Sequence, residues 1–331
     1  MIKTNSTSVC ESPWIINIEL CNACNLDCIF CDHSSLKKQM IIKEMEVQLL
    51  LKILSDIKEC LTGKLYELGL AGLGEPTLDR YIEKHIEIIN SHAYLFERIS
   101  FNSNLVSLSR KSAELLLNSK ISTYTFSINA SNRTTYMKMM RRDKFEQVID
   151  NLKLFVSLRK ANNNEARIDV QIFESEDNNL KALKNRFNNY EQENINFFTR
   201  KVYSKPVIQK SIDLPFDHTT NITDRYPCWD IYTRIYIDVE GNLYPCTIGN
   251  DSYRETSNLF LGNIKNESLI DIFNNKENQN ARGRAEQGKL PYPECDLCNV
   301  WSLTPNNFLW DKDKARWSKK EKQVRAYGLK E

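Results

Sequence analysis

Apolar residues follow two alternating patterns along residues 14–200 of this chain. Short, nearly continuous apolar runs indicate buried strands, and longer segments with apolar residues at i, i+3, i+4 and i+7 indicate amphipathic helices. The segment that begins at Glu44 shows the helical stripe most clearly. The predicted strands are Trp14–Leu20, Leu65–Ala71, Arg98–Ser103, Thr123–Asn129, Arg167–Phe173 and Ile195–Thr199, and the predicted helices are Glu44–Cys60, Asp79–Asn90, Arg110–Leu117, Lys144–Lys160 and Leu180–Tyr190.

This alternation predicts a parallel sheet built from six βα units. Each unit has about thirty residues, which is the usual length of a unit in a (β/α)8 barrel. Six units are too few to close an eight-stranded barrel, so we expect an α/β fold with an open, partial (β/α)6 TIM-like barrel over residues 14–205. In such barrels the loops that follow the strands build the active site.

Three cysteines follow the first predicted strand. Cys24, Cys28 and Cys31, here called the cysteine triad, have the spacing C-x3-C-x2-C. Three thiolates can ligate three irons of one [4Fe–4S] cluster and leave the fourth iron open for chemistry. Phe30, immediately before the last cysteine, would shield such a cluster from water. A zinc site or a set of buried free thiols is the alternative interpretation.

Glycines are concentrated at the end of the second predicted strand. The chain has only ten glycines among 331 residues, yet three of them lie between Gly69 and Gly74. Glycines at the end of a strand allow a ligand or another backbone to approach closely. The segment Gly72–Pro76, which reads GLGEP, is therefore a candidate binding loop, although alone it is equally consistent with an ordinary loop.

The two motifs together resemble those of the radical S-adenosylmethionine (SAM) enzymes, which carry C-x3-C-x-aromatic-C and a Gly-Gly-Glu-Pro loop. The resemblance implies that a [4Fe–4S] cluster at the cysteine triad chelates the methionine moiety of SAM. An electron from that cluster then cleaves SAM to methionine and a 5′-deoxyadenosyl radical. The resemblance also implies that Gly72, Gly74 and Glu75 bind the SAM amino group, and that Leu73 replaces one family glycine.

Weaker matches to the same family follow later strands. Asn104 lies where the family often has Thr-Asn-Gly, and Ser127 and Asn129 resemble a Ser-Ile-Asp-Gly segment whose polar side chains approach the SAM ribose. Arg141 precedes Phe145 at the spacing of an Arg-x-x-x-Phe segment. The resemblance implies contact between Arg141 and the SAM carboxylate, and a surface position is the alternative interpretation.

A second group of cysteines follows residue 200. Cys228 precedes a predicted hairpin that contains Ile235–Val239, Cys246 follows it, and Cys295 and Cys298 form a C-x2-C pair. On spacing alone, four cysteines suit a tetrahedral zinc site and a fully ligated [4Fe–4S] cluster equally. The order of these cysteines resembles that in the shortened SPASM domain called twitch. The resemblance implies one auxiliary [4Fe–4S] cluster in a small α+β domain over residues 206–310.

Composition and charge narrow the class of protein. The formal net charge of +2 gives no reason to expect nucleic-acid binding, and no long uncharged apolar stretch predicts a membrane span. The polar tail at residues 1–13 lacks the apolar centre of a signal peptide. We therefore expect a cytoplasmic protein, where ten reduced cysteines suit metal ligation. The charged tail at residues 311–331 is predicted to be a solvated helix.

The resemblance implies a radical SAM enzyme that abstracts hydrogen from its substrate and takes electrons from a donor of the flavodoxin or ferredoxin type. Twitch-bearing relatives oxidise, dehydrate or epimerise polar small molecules such as amino sugars and aminocyclitols, and SPASM relatives also crosslink or epimerise ribosomal peptides. Only thirteen residues precede the first predicted strand, so we expect no N-terminal peptide-recognition domain and favour a small polar substrate. Cys21 is a candidate hydrogen donor to a substrate radical. A non-catalytic Fe–S or zinc protein is the remaining alternative.

Overall fold

The computed structural model describes residues 12–60, 63–200, 227–247, 257–296, 298, 308–311 and 316–319. Cys10 and residues 206–226 of the predicted C-terminal domain lie outside these ranges. In chain order the strands are β1 (Ile15–Ile18), β2 (Leu65–Leu70), β3 (Phe96–Ser103), β4 (Thr123–Asn129), β5 (Arg167–Phe173), β6 (Ile195–Arg200), β7 (Arg234–Ile237), β8 (Asn242–Tyr244), β9 (Gly262–Asn263), β10 (Phe308–Asp311) and β11 (Arg316–Lys319).

The helices alternate with the first six strands and then continue into the C-terminal region. They are α1 (His33–Leu36), α2 (Val47–Cys60), α3 (Ile82–Ser91), α4 (Arg110–Leu117), α5 (Arg133–Met140), α6 (Phe145–Ala161), α7 (Leu180–Asn185), α8 (Asp230–Thr233), α9 (Leu269–Phe273) and α10 (Lys276–Glu286). None of the helices in the described residues is long and apolar enough to cross a membrane.

The predicted partial barrel is confirmed. Among the described residues, nine strands form one sheet in the order β6-β5-β4-β3-β2-β1-β7-β8-β9, in which β1 to β6 are parallel. β7 pairs in parallel with β1, with Ile18 opposite Ile237, and the antiparallel strands β8 and β9 extend that edge. The C-terminal hairpin therefore continues the sheet of the barrel and begins beside the strand that leads to the cysteine triad.

Alternation along the strands gives the sheet an apolar face and a polar face. The apolar side chains join the helices in one hydrophobic core. The opposite, inner face of the barrel carries buried polar side chains that are hydrogen-bonded across strands. Ser100 Oγ donates to Glu67 Oε1 over 2.5 Å, and Asn196 Nδ2 donates to Asp169 Oδ1 over 2.6 Å. Because buried polar groups are stable only when they are paired, this network makes a polar barrel interior possible.

Several elements differ from the sequence-based expectations. The helix predicted over residues 311–331 is wrong for Arg316–Lys319, which form β11 and pair with β10 so that Trp310 opposes Trp317. The predicted helix Leu180–Tyr190 ends at Asn185, and a 3-10 segment follows it. Helices α5 and α10 were not predicted, and α5 forms one wall of the site described below.

Candidate active site

The cysteine triad lies on a loop that begins just beyond the carboxyl end of β1. Cys31 N donates to Cys28 O over 3.2 Å, which closes a tight turn between the last two cysteines. The last carbonyl groups of a helix have no partner within the helix, and this loop uses two of them. Ile29 N donates to Met139 O (2.9 Å) and Asp27 N donates to Met140 O (3.3 Å), so α5 holds the cysteine loop in place.

Burial dominates the chemistry of these thiols. It raises the pKa of Cys24 to about 12, and it raises the pKa of Cys28 well above its usual value, with the neighbouring triad cysteines adding to both shifts. The three thiols therefore lie close enough to influence one another, and Cys24 and Cys28 are protonated without a metal. Thiolate ligation removes those protons. This donor set fits three irons of a [4Fe–4S] cluster.

Close backbone approach explains the glycines of the GLGEP loop. A Cβ atom on Gly74 would overlap the carbonyl oxygen of Cys21 and lie 2.7 Å from Asn22 Cα, and one on Gly72 would lie 2.6 Å from Glu19 Cβ. Glu75 N also donates to Ala23 O over 2.7 Å. The loop and the cysteine segment are therefore in direct backbone contact.

Glu75 joins this loop to the end of β3. Its Oε1 accepts hydrogen bonds from Thr77 N (3.1 Å), Thr77 Oγ1 (2.7 Å) and Ser103 Oγ (2.8 Å), and its Oε2 accepts one from Asn104 N (2.7 Å). Burial raises the Glu75 pKa, and these donors partly offset that effect. The carboxylate thus connects two loops at the strand ends.

Asn104 lies directly against the triad. Its Nδ2 is 3.8 Å from Cys24 Sγ and donates to Asn25 Oδ1 over 2.9 Å, while its Oδ1 accepts from Val106 N over 2.9 Å. Both polar atoms of the Asn104 side chain, Nδ2 and Oδ1, thus shape the cysteine loop and the turn after β3. The predicted contact between Asn104 and the cofactor stays a prediction.

Of the remaining predicted cofactor residues, Ser127 and Asn129 lie at the carboxyl end of β4, and Phe30 lies on the cysteine loop. Ser127 is half-buried, and Asn129 is buried in the left-handed conformation (φ 61°), where its Oδ1 accepts from Gln171 Nε2 over 2.7 Å. Phe30 packs edge-to-face on Phe173 with ring centroids 4.5 Å apart, which brings the cysteine loop over the end of β5.

Arg141 takes a different position from the one that the resemblance implies. It is exposed, and it ends α5 in the left-handed conformation with φ 54°. Its neighbour Arg142 reaches the cysteine loop instead, where Arg142 Nη2 lies 2.6 Å from Asp27 Oδ2. The surface interpretation of Arg141 therefore describes the structure better.

Cys21 is a poor candidate for a hydrogen donor. Its side chain is only 2% exposed, and its sulfur accepts a hydrogen bond from Ala23 N over 3.3 Å. Burial raises its pKa to about 12. A thiol enclosed in this way supports the backbone turn before the triad.

Glu19 is a site residue that sequence reasoning missed. It follows β1, it is buried, and its Oε1 accepts hydrogen bonds from Leu73 N (2.7 Å) and Gly74 N (3.1 Å). It also faces Asp238 at the end of β7 and is hydrogen-bonded to the side chain of Tyr236. Glu19 therefore links the GLGEP loop to the hairpin that leads to the second cysteine group.

Ionisation of Glu19 is expected to lower stability as the pH rises. Burial, and then the charge of Asp238, raise the Glu19 pKa from 4.5 to about 8. A raised folded-state pKa means that the folded protein binds a proton which the unfolded chain releases, so stability falls between pH 4.5 and 8. The free energy of unfolding of wild type should fall by a few kcal/mol across this range, at about 1.4 kcal/mol for each pKa unit.

Anaerobic denaturant titrations at several pH values measure this effect. Glu19→Gln should flatten the pH dependence, because glutamine keeps an oxygen acceptor for Leu73 N and Gly74 N but does not ionise. Glu46→Gln changes an exposed glutamate and serves as the control. Equal slopes in wild type and Glu19→Gln would contradict the assignment of this pH dependence to Glu19.

The second cysteine group also comes together in space. Burial raises the pKa of Cys228 well above its usual value, and the charges of Asp230, Cys298, Cys295 and Cys246 raise it further, in that order. Cys298 N donates to Cys295 O over 3.2 Å, which repeats the turn seen between Cys28 and Cys31. Within the part of the chain that the structure describes, no three Cys, His, Asp or Glu side chains are grouped tightly enough to chelate a single metal ion.

Comparison with known proteins gives the family. A model of the Radical SAM superfamily matches residues 18–184, just over half of the chain, and a model of the SPASM iron–sulfur cluster-binding domain matches residues 228–299. The chain therefore belongs to the radical SAM superfamily and carries a SPASM domain. Its cofactors are a [4Fe–4S] cluster, SAM and auxiliary iron–sulfur. A search among curated proteins found no match.

Three solved structures show the same fold at low identity. BtrN in complex with AdoMet and 2-DOIA is 16% identical, with a TM-score of 0.57 over 86% of this chain and 92% of that chain. SuiB of Streptococcus suis bound to the precursor peptide SuiA is 17% identical, with a TM-score of 0.57 over 88% and 71%. Native anSMEcpe with AdoMet and the Cp18Cys peptide is 15% identical, with a TM-score of 0.58 over 87% and 86%.

Proposed function

We propose that this protein is a radical SAM enzyme that oxidises, dehydrates or epimerises a polar small molecule such as a sugar or an aminocyclitol. In this proposal Cys24, Cys28 and Cys31 hold the SAM-binding [4Fe–4S] cluster. The auxiliary cluster is a single [4Fe–4S] cluster held by a twitch-type set, Cys228, Cys246, Cys295 and Cys298. An electron donor of the flavodoxin or ferredoxin type reduces the enzyme.

We infer the substrate class from a row of polar residues on the inner face of the barrel. Strand register places Asn102, Thr125, Asp169 and Asn196 side by side on β3, β4, β5 and β6. Asn102 and Thr125 are half-buried, so part of each side chain remains accessible. Such donors and acceptors suit the hydroxyl and amine groups of a small polar substrate, because they fix its orientation through hydrogen bonds.

The chain's own residues position the reactants and exclude water. When bound, the cluster and SAM supply a 5′-deoxyadenosyl radical that abstracts a hydrogen atom from the substrate. Glu75 and Asn104 hold the loops around the triad, and Phe30 with Phe173 covers one side with apolar surface. Positioning within a shielded cavity is what a protein adds to chemistry that belongs to its cofactor.

A deuterium-transfer experiment tests the proposal. The reconstituted enzyme is incubated anaerobically with SAM, a reductant and perdeuterated amino sugars or aminocyclitols, and mass spectrometry follows the label into 5′-deoxyadenosine. Transfer from a small molecule is the expected result. Label transfer from a peptide alone would contradict the proposal and favour the alternative, a maturase of ribosomal peptides. The SuiB and anSMEcpe structures, which have a similar fold, were solved with bound peptides.

Removing the auxiliary ligands should separate SAM cleavage from substrate oxidation. We expect the Cys295→Ala/Cys298→Ala variant to keep SAM cleavage within about threefold but to lose at least tenfold in substrate oxidation, because the auxiliary cluster would accept the second electron. Cys60→Ala, which changes a half-buried cysteine on α2, is the control. Unchanged turnover would contradict an electron-accepting role and favour a redox-neutral reaction such as epimerisation.

A further inference from the structure

One buried hydroxyl beside the triad lacks a protein partner. Tyr136 is only 1% exposed, and among the described residues no group lies within hydrogen-bond distance of its hydroxyl. A buried tyrosine hydroxyl normally finds a partner, because leaving it unpaired costs about 1–3 kcal/mol. The structure therefore points to an acceptor that the described residues do not supply.

The position of Tyr136 identifies the side from which that acceptor comes. Tyr136 and Met140 are four residues apart on α5 and share one face of the helix. Met140 Sδ lies 3.2 Å from Cys28 Sγ, so this face is turned towards the triad. Burial raises the pKa of the Tyr136 hydroxyl, and the charges of Cys28, Cys24 and Glu75 raise it further, in that order. The hydroxyl thus remains a protonated donor on the side of α5 that is turned towards the triad.

Neighbouring groups hold the ring in this orientation. The Tyr136 ring packs against Phe145 with centroids 5.8 Å apart. At the start of α5, Asn132 Oδ1 accepts from Thr135 N over 2.9 Å and caps the helix. The carbonyl groups of Met139 and Met140 at its other end bind the cysteine loop. Because both ends of α5 are tied down, Tyr136 keeps a defined place relative to the triad.

We propose that the Tyr136 hydroxyl donates a hydrogen bond to a sulfur of the cluster held by the triad and thereby makes that cluster easier to reduce. This inference rests on the proposed placement of the SAM-binding cluster at Cys24, Cys28 and Cys31. Hydrogen bonds to cluster sulfurs stabilise the more negative, reduced state and so raise the reduction potential. Tyr136 would then set how readily the enzyme starts its reaction.

Tyr136→Phe removes the donor and keeps the ring. In EPR-monitored redox titrations of the reconstituted full-length enzyme, the cluster whose signal responds to SAM should have a lower midpoint potential. At a fixed solution potential, the ratio of reduced to oxidised cluster should fall about tenfold, which corresponds to a decrease of about 59 mV in the midpoint potential of a one-electron couple. Iron content and SAM affinity should stay within about twofold of wild type. A fluorinated tyrosine at position 136, a stronger donor of nearly the same shape, should shift the potential upwards.

Tyr124→Phe is the matched control. It removes another buried hydroxyl, one that donates to Leu116 O over 2.6 Å, and should leave the potential unchanged. An unchanged potential in both position-136 variants would overturn the inference about Tyr136 alone. Weaker SAM binding at an unchanged potential would also overturn it, since SAM would then be the acceptor. A wild-type enzyme without any SAM-responsive cluster would overturn this inference and the cluster placement together.

Discussion

Gly74→Ala is expected to weaken SAM binding strongly. The new Cβ atom would overlap the Cys21 carbonyl oxygen and lie 2.7 Å from Asn22 Cα. Both neighbours are backbone atoms of the segment that leads into the triad, so the clash cannot be relieved by a side-chain rotation. The GLGEP loop or the cysteine loop must move, and Glu75 moves with it. We expect SAM affinity to fall at least tenfold, which corresponds to about 1.4 kcal/mol.

Isothermal titration with SAM under anaerobic conditions measures this loss. Gly283→Ala is a matched control, because no heavy atom of the described residues lies within 4 Å of its added Cβ. Gly283 lies within α10, where alanine is favoured over glycine by about 1 kcal/mol. The control should therefore bind SAM normally and be slightly more stable. Normal SAM affinity in Gly74→Ala would contradict the role given to this close approach.

The second large effect is expected at the triad. The Cys24→Ala/Cys28→Ala/Cys31→Ala variant should lose SAM cleavage below detection, because no thiolates remain to hold the cluster that binds SAM. Cys21→Ala is the control, since that buried thiol contacts Ala23 N and is not expected to ligate iron. We expect this control to retain cleavage within about threefold, as measured by the formation of 5′-deoxyadenosine. Loss of cleavage in both variants would show that the assay reports misfolding of the loop.

The strands of the barrel could be predicted closely because their signal is local. Thr123–Asn129 and Arg167–Phe173 have the bounds expected from sequence, since alternation and flanking polar residues mark a strand without reference to the rest of the fold. Helix α4 also begins and ends as expected, and Ser109 caps it through the Ser112 amide. The cysteine spacings are likewise visible from neighbouring positions in the sequence alone.

Helix α5 was missed because its own sequence carries a weak pattern. It has eight residues, and its buried positions include Thr135 as well as apolar side chains. Its stability comes from packing on the barrel and from the cysteine loop that binds its last carbonyls. Two signals were nevertheless present: Asn132 as an N-cap residue, and Tyr136 with Met140 at i, i+4 spacing. Both now belong to the candidate site.

The role of Glu19 depends on contacts that are distant in sequence. Its partners come from residues 73 and 74 on one side and from the β7 strand on the other. The parallel pairing of β1 with β2 on one side and with β7 on the other brings them together. The sequence signal was a single acidic residue inside the apolar run that ends at Leu20, which marks an unusual position without naming its partners. The pairing of β1 with β7 also explains why the C-terminal hairpin extends the barrel sheet.

Iron and sulfide analysis after anaerobic reconstitution tests whether the protein holds one cluster at the triad and a second at the C-terminal cysteines. We expect about eight irons for wild type and about four for the triple alanine variant of the triad, at about four per cluster. The Cys295→Ala/Cys298→Ala variant should also retain about four irons. Of the two variants, only this one should keep a cluster whose EPR signal responds to SAM. The same iron content in wild type and in the triad variant, or no iron in either, would contradict the placement of a cluster at the triad.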